Sequence, residues 1–139
     1  GDPASNIDAT IEAGIAATMV GVELENAVKA TMASSLAKEH FNRGFTYGKL
    51  GEYEKAIQEY DKAIQLDPNY VKAYYNRGNA YSHLDQYERA IQDYDKTIQL
   101  EPNLATAYNN RSVSYRKIGL YPQADADRAK ACSLDSQYC

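Results

Sequence analysis

The chain has 139 residues, a formal net charge of −4 and 44% apolar residues, the length and balance of a single soluble-type domain. An acidic total without a basic footprint excludes nucleic acid as a partner, since phosphate contacts need clustered Lys and Arg. The longest charge-free run of the leading part, Ala13 to Val22, is ten residues, whereas a membrane span takes about 20.

The leading segment, residues 1–36, reads as helix. Ile7, Ile11, Ile15 and Met19 form one apolar stripe at intervals of four, and Val20, Leu24, Val28, Met32 and Leu36 form a second, rotated one. Ser5 or Asn6 can cap the start. The segment is one long rod or a pair broken near Gly21. Ala9, Ala13, Ala17 and Gly21 place a small residue every fourth position, which permits close helix packing. Two roles fit: a cap over the first of the repeating units that follow, or a self-association helix that packs against another copy. Gly1 in place of Met is consistent with removal of an upstream signal or anchor, which would place the protein outside the cytoplasm. A cytoplasmic location is the alternative.

From residue 37 the chain repeats itself. Residues 37–70 and 71–104 agree at 19 of 34 positions without a gap. Asn42-Arg43-Gly44 returns as Asn76-Arg77-Gly78 and again as Asn110-Arg111-Ser112. Tyr47, Tyr81 and Tyr115 stay in step, as do Ala56, Ala90 and Ala124. A 34-residue period held this long is the mark of stacked supersecondary units. The units are 37–70, 71–104 and 105–138.

Each unit reads as two helices. Asp67-Pro68 and Glu101-Pro102 stop the chain between units, because proline disfavours helical geometry in the residue before it. Gly51, Asp85 and Gly119 mark the internal turns, and Pro122 suits the first turn of the helix after it. Helices are therefore expected near 38–50, 54–66, 72–84, 88–100, 106–118 and 122–134. Tyr74, Gly78 and Tyr81 share a stripe on one helix of the second unit, and Ala90, Tyr94 and Thr97 share one on the other. Thirteen tyrosines and no tryptophan suit thin packing, in which a ring is buried and its hydroxyl stays at a boundary. One hairpin cannot bury its face alone, so stability should come from stacking on neighbours.

An aromatic at unit position 4, Gly at 8, Tyr at 11, Ala at 20, Tyr at 24 and Pro at 32 recur here as Tyr74, Gly78, Tyr81, Ala90, Tyr94 and Pro102. This spacing is similar to the tetratricopeptide repeat, and the resemblance covers residues 37–138. It implies an all-α fold, a right-handed α-solenoid of three helix-turn-helix repeats carrying an additional N-terminal helical segment. It also implies a concave groove that takes a peptide or extended segment of a partner protein. Unit three drifts from the pattern: Arg128 replaces the position-24 tyrosine, Ser112 the glycine and Ser136 the proline. Its second helix carries Asp125, Asp127, Arg128 and Lys130, the polar outer face expected of a terminal repeat.

Position 7 departs from the family's usual leucine and is Arg43, Arg77 and Arg111. A guanidinium facing a neighbouring helix needs a counter-charge. Asp61 and Asp95, at position 25, are the expected partners of Arg43 and Arg77, as structural pairs rather than ligand contacts. Unit three has Ala129 there, which leaves Arg111 to Asp127 or to solvent.

For the groove, the resemblance points to positions 2, 5, 6, 9, 12 and 13. Asn42, Asn76 and Asn110 stand at position 6, and a column of amides can bond a peptide backbone whatever its side chains. A solvated column is the alternative. Lys38, Lys72 and Arg116, with Lys49, His83 and Lys117 nearby, supply positive charge; Phe41, Phe45, Tyr75 and Asn79 complete the face. The mix favours an acidic, hydrophobic peptide. Chaperone-binding family members carry Lys and Asn at first-unit positions 5 and 9, which here are Phe41 and Phe45. Where Lys and Arg would stand in unit three, there are Thr106 and Asn110, so chaperone tails are not the expected ligand.

No catalytic constellation is legible. His40 takes the aromatic position 4 of unit one as a packing residue, and His83 stands alone near a turn. No phosphate loop, zinc spacing or nucleophile motif appears, and no cofactor or metal is implied. Cys132 and Cys139 would lie roughly 10 Å apart on one helix, too far for a disulfide. A small buried thiol is the expectation for Cys132, although a helix ending near Leu134 would let the tail fold back and bridge.

Overall fold

The computed structural model describes the backbone of residues 3–139 and the side chains of residue 7 and residues 9–139. The described residues form α1 (Pro3–Lys49), α2 (Tyr53–Leu66), α3 (Val71–His83), α4 (Tyr87–Leu100), α5 (Ala105–Lys117) and α6 (Tyr121–Leu134). A short 3-10 turn, Ser136–Tyr138, comes after α6. Two compact units result, residues 1–35 and 36–139, and α1 contributes to both.

In the first unit α1 passes Gly21 without a break, which decides for one rod over a broken pair. No proline or positive-φ turn interrupts it after Pro3. The helix is already under way at Ser5 and Asn6, and the capping expected of their side chains lies outside the described residues. Along this rod Ile11, Ile15, Met19, Val22 and Leu24 are each more than half exposed.

The second unit is three stacked hairpins: residues 36–49 of α1 with α2, α3 with α4, and α5 with α6. The helix expected at 38–50 is thus the end of α1 rather than a separate element. Stacking joins α2 to α3 and α4 to α5. The internal turns share one recipe. Gly51 and Gly119 take φ of 76° and 81°, and Asp85 takes 57°, one of the few non-glycine types that tolerate this region. The left-handed residue lets the next amide reach five residues back. The Glu52, Gln86 and Leu120 N–H groups accordingly donate to the Tyr47, Tyr81 and Tyr115 carbonyls, each at 2.9 Å. Between units, the Tyr74 and Tyr108 hydroxyls donate to the carbonyls of Pro68 and Pro102 at 2.9 and 2.8 Å. These bonds give the position-4 tyrosines their boundary role.

The core is alanine and tyrosine. Ala56, Ala63, Ala73, Ala90, Ala107, Ala124 and Ala131 are wholly buried, with Tyr60, Tyr94 and Thr97 among them. Small side chains bring the helices close, and the tyrosine rings fill the remaining space. A Cβ added to Gly44 would lie 2.7 Å from the Tyr60 ring and 3.1 Å from the Ala56 carbonyl oxygen; at Gly78 it would lie 2.9 Å from the Tyr94 ring. Glycine at position 8 is therefore the counterpart of tyrosine at 24. Unit three, with Arg128 at position 24, accommodates Ser112.

The C-terminal end overturns the expectation of a free thiol. Cys132 and Cys139 form a disulfide with their Cα atoms 4.6 Å apart. Asp135 accepts the Gln137 N–H at 3.0 Å, and the resulting turn swings the tail back onto α6. A separation of roughly 10 Å belongs to a continuous helix, and this helix stops at Leu134.

Replacing Gly44 with Ala should destabilise the protein. Overpacking costs about 1–3 kcal/mol, against a helix-propensity gain of at most ~1 kcal/mol. A urea melt showing the variant at or above wild-type stability would refute the close contact.

Candidate interaction face

The last part of α1, α3 and α5 are the first helices of the three hairpins, and their common face carries the residues expected of a groove. Two cavities open along it. The first, of 160 Å³, is lined by Phe45, Lys49, Tyr53, Tyr60, Asn76 and His83, among others. The second, of 290 Å³, is lined by Asn79, Ser82, His83, Tyr94, Asn110 and Val113. His83 and Asn79 border both. The His83 ring stacks on Tyr53 with centroids 4.4 Å apart, and the Lys49 ammonium sits 4.7 Å above the Phe45 ring.

The other expected residues divide into two groups. Lys38, Lys72 and Asn42 are exposed. Phe41 is engaged in packing, its ring 5.1 Å from Tyr70, 5.8 Å from Tyr60 and 6.1 Å from Phe45. The asparagines are not an open column. Asn110 donates from Nδ2 to the Tyr75 hydroxyl and to Asn79 Oδ1, both at 3.0 Å. Asn79 Oδ1 also accepts the Tyr94 hydroxyl at 2.7 Å, and burial pushes that phenol's pKa up. Asn76 turns its Nδ2 onto the Lys72 carbonyl at 2.8 Å. Arg116 is paired with Asp125 at 2.7 Å, both side chains exposed.

Behind this face lies a ladder of ion pairs, and its partners differ from those expected. Arg77 makes a two-pronged contact with Asp93, Nε to Oδ2 at 2.8 Å and Nη2 to Oδ1 at 2.7 Å. Its Nη1 reaches Asp61 of the preceding unit at 2.7 Å. Arg111 repeats the scheme with Asp127 and Asp95. Arg43 holds Glu59 at 3.2 Å. Asp61 and Asp95 are thus bound to the arginine of the following unit, not to Arg43 and Arg77. Positions 23 and 25 stand about 200° apart on a helix, so one acid faces its own unit and the other faces the next. The signal was present: Glu59, Asp93 and Asp127 accompany the arginine in all three units, whereas position 25 loses its acid at Ala129.

These pairings set the electrostatics. Burial opposes the Arg77 charge, but Asp93 and Asp61 outweigh it and raise the pKa of the guanidinium further. Burial tends to raise the Glu59 carboxyl, yet bonds from His40, Arg43 and Lys62 hold it down to about 2. His40 Nδ1 lies 2.7 Å from Glu59 Oε2 and 2.8 Å from Arg43 Nη2, so it donates to the carboxylate or accepts from the guanidinium, one at a time. Among the described residues no cluster of His, Cys, Asp and Glu is placed to hold a metal ion, and no helix is long and apolar enough to cross a membrane.

Family models for the TPR repeat and the tetratricopeptide repeat match residues 44–85 and 71–104. No curated protein matches the chain. Among solved structures, the first TPR of Spaghetti (RPAP3), bound to the HSP90 peptide SRMEEVD, superposes with a TM-score of 0.72 at 26% identity over 74% of this chain and 82% of that one. The Arabidopsis OM64 TPR domain gives 0.74 at 26% identity, over 76% and 87%. The second TPR domain of human RPAP3, in complex with the HSP70 peptide SGPTIEEVD, gives 0.70 at 27%, over 77% and 87%. The fold is an all-α solenoid, the architecture of these TPR domains, two of which hold peptides. Residues 44–104 carry tetratricopeptide repeats.

Removing Asp93 with Ala leaves Arg77 buried on one weak partner and should cost about 3 kcal/mol, the low end for a broken buried pair. Asp95, half exposed, should cost under ~1 kcal/mol when replaced by Ala. Equal denaturant midpoints for the two variants would reject the ladder. A second expectation concerns acid. The folded-state pKa of Glu59 lies below its ordinary 4.5, so its contribution is complete above pH 4.5 and is lost as the pH falls towards 2. That loss should be on the order of 2 kcal/mol and should vanish in Glu59→Gln, read from melts between pH 5 and 2.

Proposed function

We propose that the chain is a non-catalytic scaffold that holds a peptide or extended segment of a partner protein on the face of α1, α3 and α5. The observation that carries this reading is the pair of adjoining cavities at the unit junctions, the first lined by Phe45, Tyr53 and Tyr60 with Lys49, the second by Asn79, Asn110 and Val113, and both bordered by His83. Such a lining takes an aliphatic or aromatic side chain with a carboxylate close by. RPAP3 domains of the same fold hold acidic peptides, which supports a ligand of that general character. Phe41, Phe45, Thr106 and Asn110 replace the cationic and amide groups of a chaperone-tail clamp, so an EEVD ending is not the ligand proposed. Because Asn110 ties α5 to α3, the asparagines serve the face as much by shaping it as by contact.

A second reading, self-association through residues 1–36, is favoured by the exposed apolar side chains of that segment. The disulfide favours an oxidising, exported setting for the protein.

Selection from a random peptide library tests the first reading. Wild type should enrich sequences that combine acidic and apolar residues, and Lys49→Glu should invert the charge preference while keeping the apolar one. Enrichment that ignores charge in both proteins would defeat it.

A further inference from the structure

We infer that the face of one copy takes the leading helix of another, by helix-in-groove docking of the α1 segment around Ile11 to Glu23. This rests on the groove reading and names the occupant. Residues 7–25 contain four acids, Asp8, Glu12, Glu23 and Glu25, and no Lys or Arg. Within this segment Ile11, Ile15, Met19 and Val22 form an exposed apolar strip bordered by Glu23. The recognition face is its chemical complement. It offers exposed Lys38, Lys49 and Lys72 with apolar Phe45 and Val113, the last two 41% and 46% exposed.

The dimensions agree. Ile11 to Glu23 spans about 18 Å at 1.5 Å per residue. Crossing from α1 to α5 takes two helix spacings, roughly 16–20 Å. Met19 and Glu23 lie one turn apart, so an apolar side chain can enter the 160 Å³ cavity while the carboxylate meets Lys49 at its mouth. Helix-in-groove recognition reads anchors at i, i+4 and i+7, where Ile15, Met19 and Val22 fall, with Ile11 one turn before them. The acidic charge of the segment excludes an anionic membrane surface as its resting place. It also weighs against pairing with an identical helix, since acids would face acids.

A donor helix and an acceptor face on one chain form a heterologous contact, which builds rings or open chains rather than a symmetric pair. Light scattering and sedimentation of the full-length protein should then show mass rising with concentration and falling as salt rises. Two variants separate the arrangements: a face variant, Lys49→Glu with Lys72→Glu, and a helix variant, Ile15→Lys with Met19→Lys. All four positions are exposed, so folding is preserved and is checked by circular dichroism. Each variant alone should lose association by about tenfold or more, the effect of one broken contact of ~1.4 kcal/mol. Their mixture should form a one-to-one complex, because each supplies the part the other lacks. A face variant that associates like wild type would overturn the inference in favour of helix-on-helix pairing. A wild type that stays monomeric would also overturn it, and charge-dependent enrichment from the peptide library would then leave the groove reading standing by itself.

Discussion

The repeat domain depends on an arginine where this architecture ordinarily places an apolar side chain. A cation so enclosed is tolerable only if its charge and its hydrogen-bond donors are met. Arg77 meets Asp93 sixteen residues on and Asp61 sixteen residues back. Arg111 does the same with Asp127 and Asp95. The fork of the guanidinium accepts few arrangements of its partners. Each arginine therefore fixes both how its own hairpin closes and where the previous one sits. Stacking register, which in a purely apolar array rests on shape alone, here has a charged contact between units as well. Arg43, with only Glu59 and His40 beside it, is the loosest of the three and is half exposed.

That division of labour shapes the opposite face. Since the ladder and the alanine–tyrosine core hold the hairpins together, the exposed groups of α1, α3 and α5 carry little of the fold. Lys38, Lys49, Lys72 and Val113 are exposed, the three lysines enter no ion pair among the described residues, and these are the groups through which recognition can vary. The amides behave differently. Asn79, Asn110, Tyr75 and Tyr94 form one bonded network spanning α3, α4 and α5. It holds the floor of the second cavity rigid, which lowers the ordering cost of binding.

Most of the fold was legible because the period is long and strict. Proline before units two and three and a left-handed residue inside each unit leave helix ends little freedom, and from Lys49 onward the expected boundaries fall within about one residue of those observed, whereas the start expected at 38 has no counterpart because α1 runs through it. The misreadings have physical causes. Asp61 and Asp95 resemble partners of Arg43 and Arg77 because two acids two residues apart are equally near in sequence, while only three-dimensional stacking says which faces inward. The bonds made within the asparagine column were not legible, because a single sequence does not show that an amide on α5 reaches the hydroxyl and the amide on α3. The disulfide was legible only as the alternative that a helix ending near Leu134 allows, and the Asx bond at Asp135 is what turns the tail back.

The leading helix poses the sharper problem. A rod whose isoleucines, methionines and valines face water is an aggregation hazard unless something receives it. Patterning of the usual kind, one apolar stripe and one polar face, would have given a partner a single surface to meet. Here the two stripes wind around the axis, so a partner helix would see a full seam only by winding with it. A short docking contact needs just two or three turns of matched surface, and the Ile11–Glu23 stretch supplies that with acids at its margin. The same acids make the segment a poor partner for its own kind and a fitting one for a cationic, aromatic face. Physical economy then points to the face that every copy of this chain already carries.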